Sequence, residues 1–195
     1  GHHAGIMTGP DGATHQATED IAITRCWPGI TIFNPCDAIE AKKATIASVT
    51  IEGPVYIRFT RDKTPVITTN ETPFEVGKTQ VFWTSEKPNA TIFATGYMIF
   101  YALLAAKELE TEGIQVLVAN VTTIKPIDEE NIISIIDKTN CAVTVEDHQV
   151  NGGLGGLLAE ILAKKRPTPM DFIGIQDSFG ESCKPSELIE KYGMG

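Results

Sequence analysis

The sequence predicts an α/β protein made of two α/β domains with mainly parallel sheets. Short β-branched runs alternate with amphipathic helical stripes along most of the chain, and glycine or glycine–proline turns separate them. Residues 60–89 differ from both flanks, carrying Pro65, Pro73, Gly77 and Pro88 among short β-rich pieces such as Gln80-Val81-Phe82-Trp83. We therefore place a first domain over residues 1–70, a linker, partly hairpin, over 71–88, and a second domain over 89–195.

The first sixteen residues hold glycine, proline and aspartate with little periodicity. They read as a loop closing on Thr14 or Thr18 at a helix start. That helix, over 17–26, stops before Trp27-Pro28-Gly29. Residues 30–33 are a β-branched strand. Pro35 and Asp37 open the next helix, with Glu40 as capping-box partner and Ile39, Ile46 and Ala47 on one face. Gly53-Pro54 breaks the chain before a strand at 55–59. Two strands and two helices make too small a sheet to stand alone, and a parallel domain opening on a histidine-bearing loop lacks the strand that should precede it. The first domain is therefore expected to be incomplete at its N-terminal side.

The second half is more regular. Strands are expected at 91–95, 114–119, 141–145 and 171–175. Between them, one helix presents Ile99, Leu103, Ala106 and Leu109, and another, started by Pro126 and Asp128, turns Ile132, Ile133 and Ile136 inward. A third opens at Gly152–Gly156 and buries Leu154, Leu157, Leu158, Ile161 and Leu162. Ser182 or Ser186 caps a last helix. The glycine segment is not G-x-G-x-x-G, because position 158 is Leu158; its glycines permit close helix–sheet packing. His148, beside Glu146 and Asp147, reads as an interdomain hydrogen-bonder, and Ser182 has no nucleophile-elbow context.

Acidic residues outnumber basic ones 25 to 16, for a net charge of −9. Nucleic-acid binding needs a dense basic face, whereas the lone cluster Lys164-Lys165-Arg166 follows an apolar stripe and complements a helix C-terminus. No apolar run approaches the ~20 residues that span a bilayer, and no leader pattern is present. The chain reads as cytoplasmic, binding neither nucleic acid nor membrane. Cys26, Cys36, Cys141 and Cys183 lie far apart with no C-x-x-C pair, which marks structural thiols.

The opening loop is the leading candidate for chemistry. His3, Asp11 and His15 sit in a glycine-rich segment ahead of a helix, and loops at the carboxyl ends of parallel strands are where such folds bind ligands. Two imidazoles and a carboxylate exchange protons near neutral pH. The competing reading is a turn with solvent-exposed histidines, His2 being a tag or linker residue. In so acidic a chain an anionic substrate needs a local basic partner, which bears on Arg61.

The stretch GPDGATHQATEDIA, the segment 29–40 and GPVYIRFTR together resemble the pyrimidine-binding domain of transketolases. Further on, TIKPIDEENI, TVEDHQVNGGLGG and FGESCKPSELIEKYG resemble the transketolase C-terminal domain. The motifs run in order over essentially the whole chain. The resemblance implies transfer of a two-carbon ketol unit between sugar phosphates, as in the pentose phosphate pathway, with thiamine diphosphate as electron sink and Mg²⁺ beside it. By motif position it implies that His15 hydrogen-bonds a developing alkoxide, that Asp11 selects the sugar's hydroxyl configuration, and that His3 and Arg61 meet the substrate phosphate. Arg61 is favoured over Arg58.

The family's glutamate for the aminopyrimidine, its stacking aromatic and its glycine-aspartate-glycine metal motif have no counterpart here. The family's further C-terminal helix likewise has none. The chain is thus expected to be the second polypeptide of a split transketolase, further shortened, or a fragment of one, working with an N-terminal subunit as a homodimer within a heterotetramer. Sister readings are 1-deoxy-xylulose-5-phosphate synthase and the beta subunit of a 2-oxo acid dehydrogenase; Thr14-His15-Gln16 followed by Glu19-Asp20-Ile21 favours transketolase. A non-catalytic scaffold subunit is the reading from another class, and the joint presence of His3, Asp11, His15 and Arg61 argues against it.

Overall fold

All five residues of 116–120 and four of 90–94 are buried, as expected of parallel strands covered by helices on both faces. These segments are β6 (Ala90–Ala94) and β7 (Val116–Asn120). The structure, a computed structural model, describes residues 3–195; His2, with its tag or linker reading, lies outside the described residues. With β5 (Gln80–Trp83), β9 (Ala142–Gln149) and β10 (Met170–Ile175) they form a five-stranded sheet of order β10-β9-β6-β7-β5.

Four of those strands are parallel, and β5 runs antiparallel to β7. The hairpin expected in the linker does not form. Residues 58–79 contain no strand, and β5 pairs with a strand far along the chain.

The first half contributes β3 (Thr31–Phe33) and β4 (Val55–Ile57), parallel and joined by α2 (Ala38–Ser48). The third strand of that sheet, β8 (Thr123–Lys125), comes from the second half and runs antiparallel to β3. Three residues carry too little periodicity to announce a strand. A two-strand pair thus gains a third member from the other domain. The opening loop is not wholly irregular either: β1 (His3–Ala4) and β2 (Gln16–Ala17) pair in parallel, with a 3₁₀ turn at Gly9–Asp11 between them.

Alternation along the strands divides the core into two layers. Phe93, Leu117, Ala119 and Ala142 pack against α4 (Glu129–Ile136), α5 (Leu154–Lys165) and the first half's Ile21, Ile30 and Ile32. Ile92, Ala94, Val116 and Val118 face α3 (Met98–Thr111) and α6 (Pro185–Lys191), together with Ile6 and Cys36. Each fully buried Ile or Leu contributes about 1.5–3 kcal/mol, so the first half is stabilised largely by apolar contacts with the second.

Helix starts follow the sequence in part. Asp37 caps α2, accepting from Ile39 N at 3.0 Å and Glu40 N at 2.9 Å. Glu40 faces inward, accepting from Cys36 N, Asn120 Nδ2 and Thr122 Oγ1 at 2.7–2.8 Å. The buried residues of α2 are accordingly Glu40 and Ala44, while Ile46 is 62% exposed, the reverse of the expected apolar stripe. The short α1 (Asp20–Arg25) is capped by neither Thr14 nor Thr18; Glu19 precedes it without a side-chain cap. At α6 the cap position is Lys184, whose N–H meets Glu187 Oε2 at 3.4 Å, rather than Ser182 or Ser186, because Pro185 sets the first turn. The glycines opening α5 act as expected: a Cβ on Gly155 would lie 2.6 Å from Phe172.

Candidate functional site

The parallel pairing of β1 with β2 sets His3 opposite Gln16 and Ala4 opposite Ala17, which brings the ends of the opening loop side by side. As a result the His3 and His15 rings stack, with centroids 6.4 Å apart and planes 19° from parallel. Thr14 Oγ1 lies 2.9 Å from His15 Nδ1. Gln16, between them and the interior, is buried and donates to Gly9 O at 3.3 Å and Glu181 O at 2.9 Å, which pins the loop to the segment before α6. The two imidazoles line a cavity of about 560 Å³ together with Thr14, Glu19, Asp20 and Trp27.

Asp11 and Arg61 lie elsewhere. Their side chains form an ion pair with each other, and they line a neighbouring cavity of about 320 Å³ with Thr8, Asp62 and Pro185. The expected site residues therefore assemble as two pairs, and Asp11 does not face the cavity of His3 and His15. The 3₁₀ turn carries Asp11 away from the ladder that holds the histidines.

Arg58 is only 2% exposed. Its Nε donates to Asp20 Oδ2 at 2.8 Å and its Nη1 to Asp147 Oδ1 at 2.5 Å. It is a buried ion-pair partner and does not reach solvent, whereas Arg61 does. Tyr56 Oη also donates to Asp20 Oδ2, at 2.7 Å. Burial pushes the Asp20 carboxyl upward, but the charge and hydrogen bonds of Arg58 outweigh it and hold the group below its ordinary range. At Asp147 burial wins, and its pKa is raised despite Arg58.

This network was missed in the sequence. Its faint signal is an arginine in an otherwise apolar run, Ile57-Arg58-Phe59, together with the acidic pair Glu146-Asp147. β9 runs on through that pair, so Glu146, Asp147 and His148 are all fully buried strand residues. His148 bridges the halves as expected: Ala22 N donates to its Nε2 at 3.4 Å, which leaves the Nδ1–H to donate to Gln149 O at 2.6 Å. Burial and nearby Arg58 push its pKa down to about 4, so the ring is neutral. Glu146 accepts the Leu154 and Gly155 N–H groups at the start of α5.

The arrangement offers two stacked imidazoles and a hydroxyl to the oxygens of a polar ligand, and beside them a guanidinium for an anion. Among the described residues no cluster of three or more His, Cys, Asp or Glu is placed to hold a metal ion. Two imidazoles, a hydroxyl and a guanidinium suit the oxygens of a hydroxylated anion.

A parallel α/β core that completes its neighbour's small sheet, with a histidine-lined cleft at the opening loop, defines a two-domain α/β protein. Family models give the class its name: the transketolase pyrimidine binding domain matches residues 1–66 and the transketolase C-terminal domain matches residues 79–195. The chain belongs to the transketolase family. It is 39% identical over 194 residues to a 6-deoxy-6-sulfo-D-fructose transketolase subunit of Clostridium sp., covering 100% of this chain and 60% of the relative. It is 42% identical over 196 residues to a putative transketolase C-terminal section of Methanocaldococcus jannaschii, covering 98% and 60%. The solved structure of a split gene transketolase, described as an inactive beta4 tetramer, superposes with a TM-score of 0.90 at 41% identity, covering 99% of this chain and 61% of that one. This chain spans about 60% of the length of the two relatives. No helix among the described residues is long and apolar enough to cross a membrane.

Proposed function

We propose that this chain is the C-terminal section of a split transketolase, transferring a two-carbon ketol unit between sugar phosphates when joined to an N-terminal subunit. The observation that carries this reading is the stacked pair of His3 and His15 lining a cavity large enough for a sugar. His15 hydrogen-bonds the alkoxide that develops at the reacting carbon, and Thr14 orients its ring. His3, beside it, extends toward the substrate phosphate. Arg61 binds that phosphate with its fork of donors, and Asp11, its present partner, is released to the sugar hydroxyls whose configuration it selects. When bound, thiamine diphosphate supplies the electron sink. In this reading the diphosphate and Mg²⁺ are bound largely by the N-terminal subunit.

A relative named for a sulfo sugar supports an arm of the same reading, because a guanidinium grips a sulfonate as it does a phosphate. The four-copy assembly named for the solved relative supports self-association, and we read the native enzyme as a cytoplasmic heterotetramer built on a homodimer of this chain. The test mixes this chain with its N-terminal subunit, thiamine diphosphate and Mg²⁺, and supplies xylulose 5-phosphate and ribose 5-phosphate. Turnover that requires both chains is the expected result. Pyruvate consumption would instead indicate a sister enzyme, and tight assembly without turnover a scaffold.

A further inference from the structure

Two segments that wall the histidine cavity bond to one buried side chain, and a third rests on that side chain's ion-pair partner. The Nη2 of Arg58 donates to Ala17 O at 3.3 Å, two residues beyond His15, and to Asp147 O at 3.1 Å. Ala17 O also accepts from Gly5 N at 2.7 Å, which ties the end of β2 to the strand that carries His3. The Nε of Arg58 holds Asp20, the first residue of α1 and part of the cavity wall. Its Nη1 holds Asp147 at the end of β9. Gly5 rests directly on that carboxylate: a Cβ there would lie 1.5 Å from Asp147 Oδ2, and φ at Gly5 is +63°. β1 therefore lies on Asp147, β2 is held at its exit, and α1 is held at its start.

We propose that Arg58 is a positioning residue that fixes the separation of His3 and His15, with Asp147 of the second domain as its anchor. The inference rests on the transketolase reading but assigns the second domain a part in the geometry of the site. Arginine is required because four hydrogen bonds leave one planar head toward three residues at once, and a lysine ammonium cannot span them. Small displacements of paired catalytic groups are costly in rate, so the effect should fall on turnover more than on substrate affinity.

The test compares wild type with Arg58→Lys and Asp147→Asn, both in the assembled two-chain enzyme and in this chain alone. In the chain alone, the readout is the nuclear Overhauser contact between the ring protons of His3 and His15. The expected result is weakening of that contact in both variants. In the assembled enzyme kcat should fall by roughly tenfold or more while KM for the sugar phosphates stays within about twofold. Asp147→Asn keeps its shape and one acceptor for Arg58, so it carries the test should Arg58→Lys fail to fold. A folded variant that keeps both the ring contact and kcat, or losses that track the unfolded fraction alone, would overturn the proposal. If the wild-type assembly turns over no sugar phosphate, the functional reading fails, and the ring contact still decides the positioning role.

Discussion

The Arg61 guanidinium is ion-paired with the Asp11 carboxylate, 50 residues away in sequence, and the pair bridges the loop after β4 to the 3₁₀ turn of the opening loop. Both side chains are partly exposed, so the pair itself contributes little to stability. On the proposed function its weight lies in binding, where a substrate phosphate would compete with Asp11 for the same donors. Arg61→Ala should raise KM for phosphorylated sugars by roughly 10- to 100-fold, as expected for a lost charged hydrogen bond of about 1.5–3 kcal/mol, with kcat nearly unchanged. Steady-state kinetics of the assembled enzyme check this, and an unchanged KM would remove Arg61 from the substrate site.

The pairing of β1 with β2 sets His15 against His3 without tying its ring into the core, so its removal should spare the fold. His15→Ala is expected to lower kcat by roughly 10²- to 10⁴-fold, the range for a positioned acid–base group. Subunit assembly, followed by sedimentation, should be unaffected. Equal losses in turnover and assembly would mark His15 as structural.

Local signals were legible where one residue decides one contact. Asp37 announced its cap, the apolar stripes of α4 and α5 announced their buried faces, and the β-branched runs announced β6, β7 and β9. The histidine pair was legible too, since both residues sit at the two ends of one glycine-rich loop. What depends on distant partners was not. Glu40 turns inward because Asn120 and Thr122 await it some 80 residues later, and that reverses the apparent face of α2. Arg58 and Arg61 look alike in GPVYIRFTR; Asp20, 38 residues before Arg58, and Asp147, 89 residues on, decide that Arg58 is the buried one. Asp11 was grouped with the histidines by proximity in sequence, which a three-residue turn undoes.

His148 makes a pH prediction. Its ring is held at a pKa of about 4, below the ~6.5 of an unfolded histidine. Between those values the unfolded chain binds more protons, so this contribution is fully present above pH ~6.5 and lost as pH falls toward 4, by roughly 3 kcal/mol at most. Glu146 acts in the opposite sense: burial pushes it up to about 8, so its contribution is present near pH 4.5 and lost as pH rises. Comparison with His148→Gln separates the two. Urea unfolding at pH 7 and pH 5 should show wild type losing stability relative to the variant at the lower pH. A difference that does not vary with pH would mean that the ring is free to charge in the fold.

The last prediction concerns cooperativity. Glu40 is 2% exposed and takes three donors, from the residue preceding Asp37 and from Asn120 and Thr122 of the second half. Replacing it by alanine takes the acceptor from Cys36 N and Thr122 Oγ1 and leaves Asn120 Nδ2 its bond to Thr122 Oγ1, at about 1–3 kcal/mol for each lost partner and less than additively, so Glu40→Ala should cost about 3 kcal/mol. The way that loss is distributed is the sharper test. β8 completes the sheet of β3 and β4, Ile21 and Ile32 share a core layer with Phe93 and Leu158, and Arg58 joins Asp20 to Asp147. Neither half can open without exposing apolar surface or buried charge of the other. Calorimetry of wild type and Glu40→Ala should therefore show one transition in each, with the variant's shifted to lower temperature and the calorimetric and van't Hoff enthalpies equal. A split into two transitions in the variant would show that the two halves fold as separable units and that Glu40 only latches them.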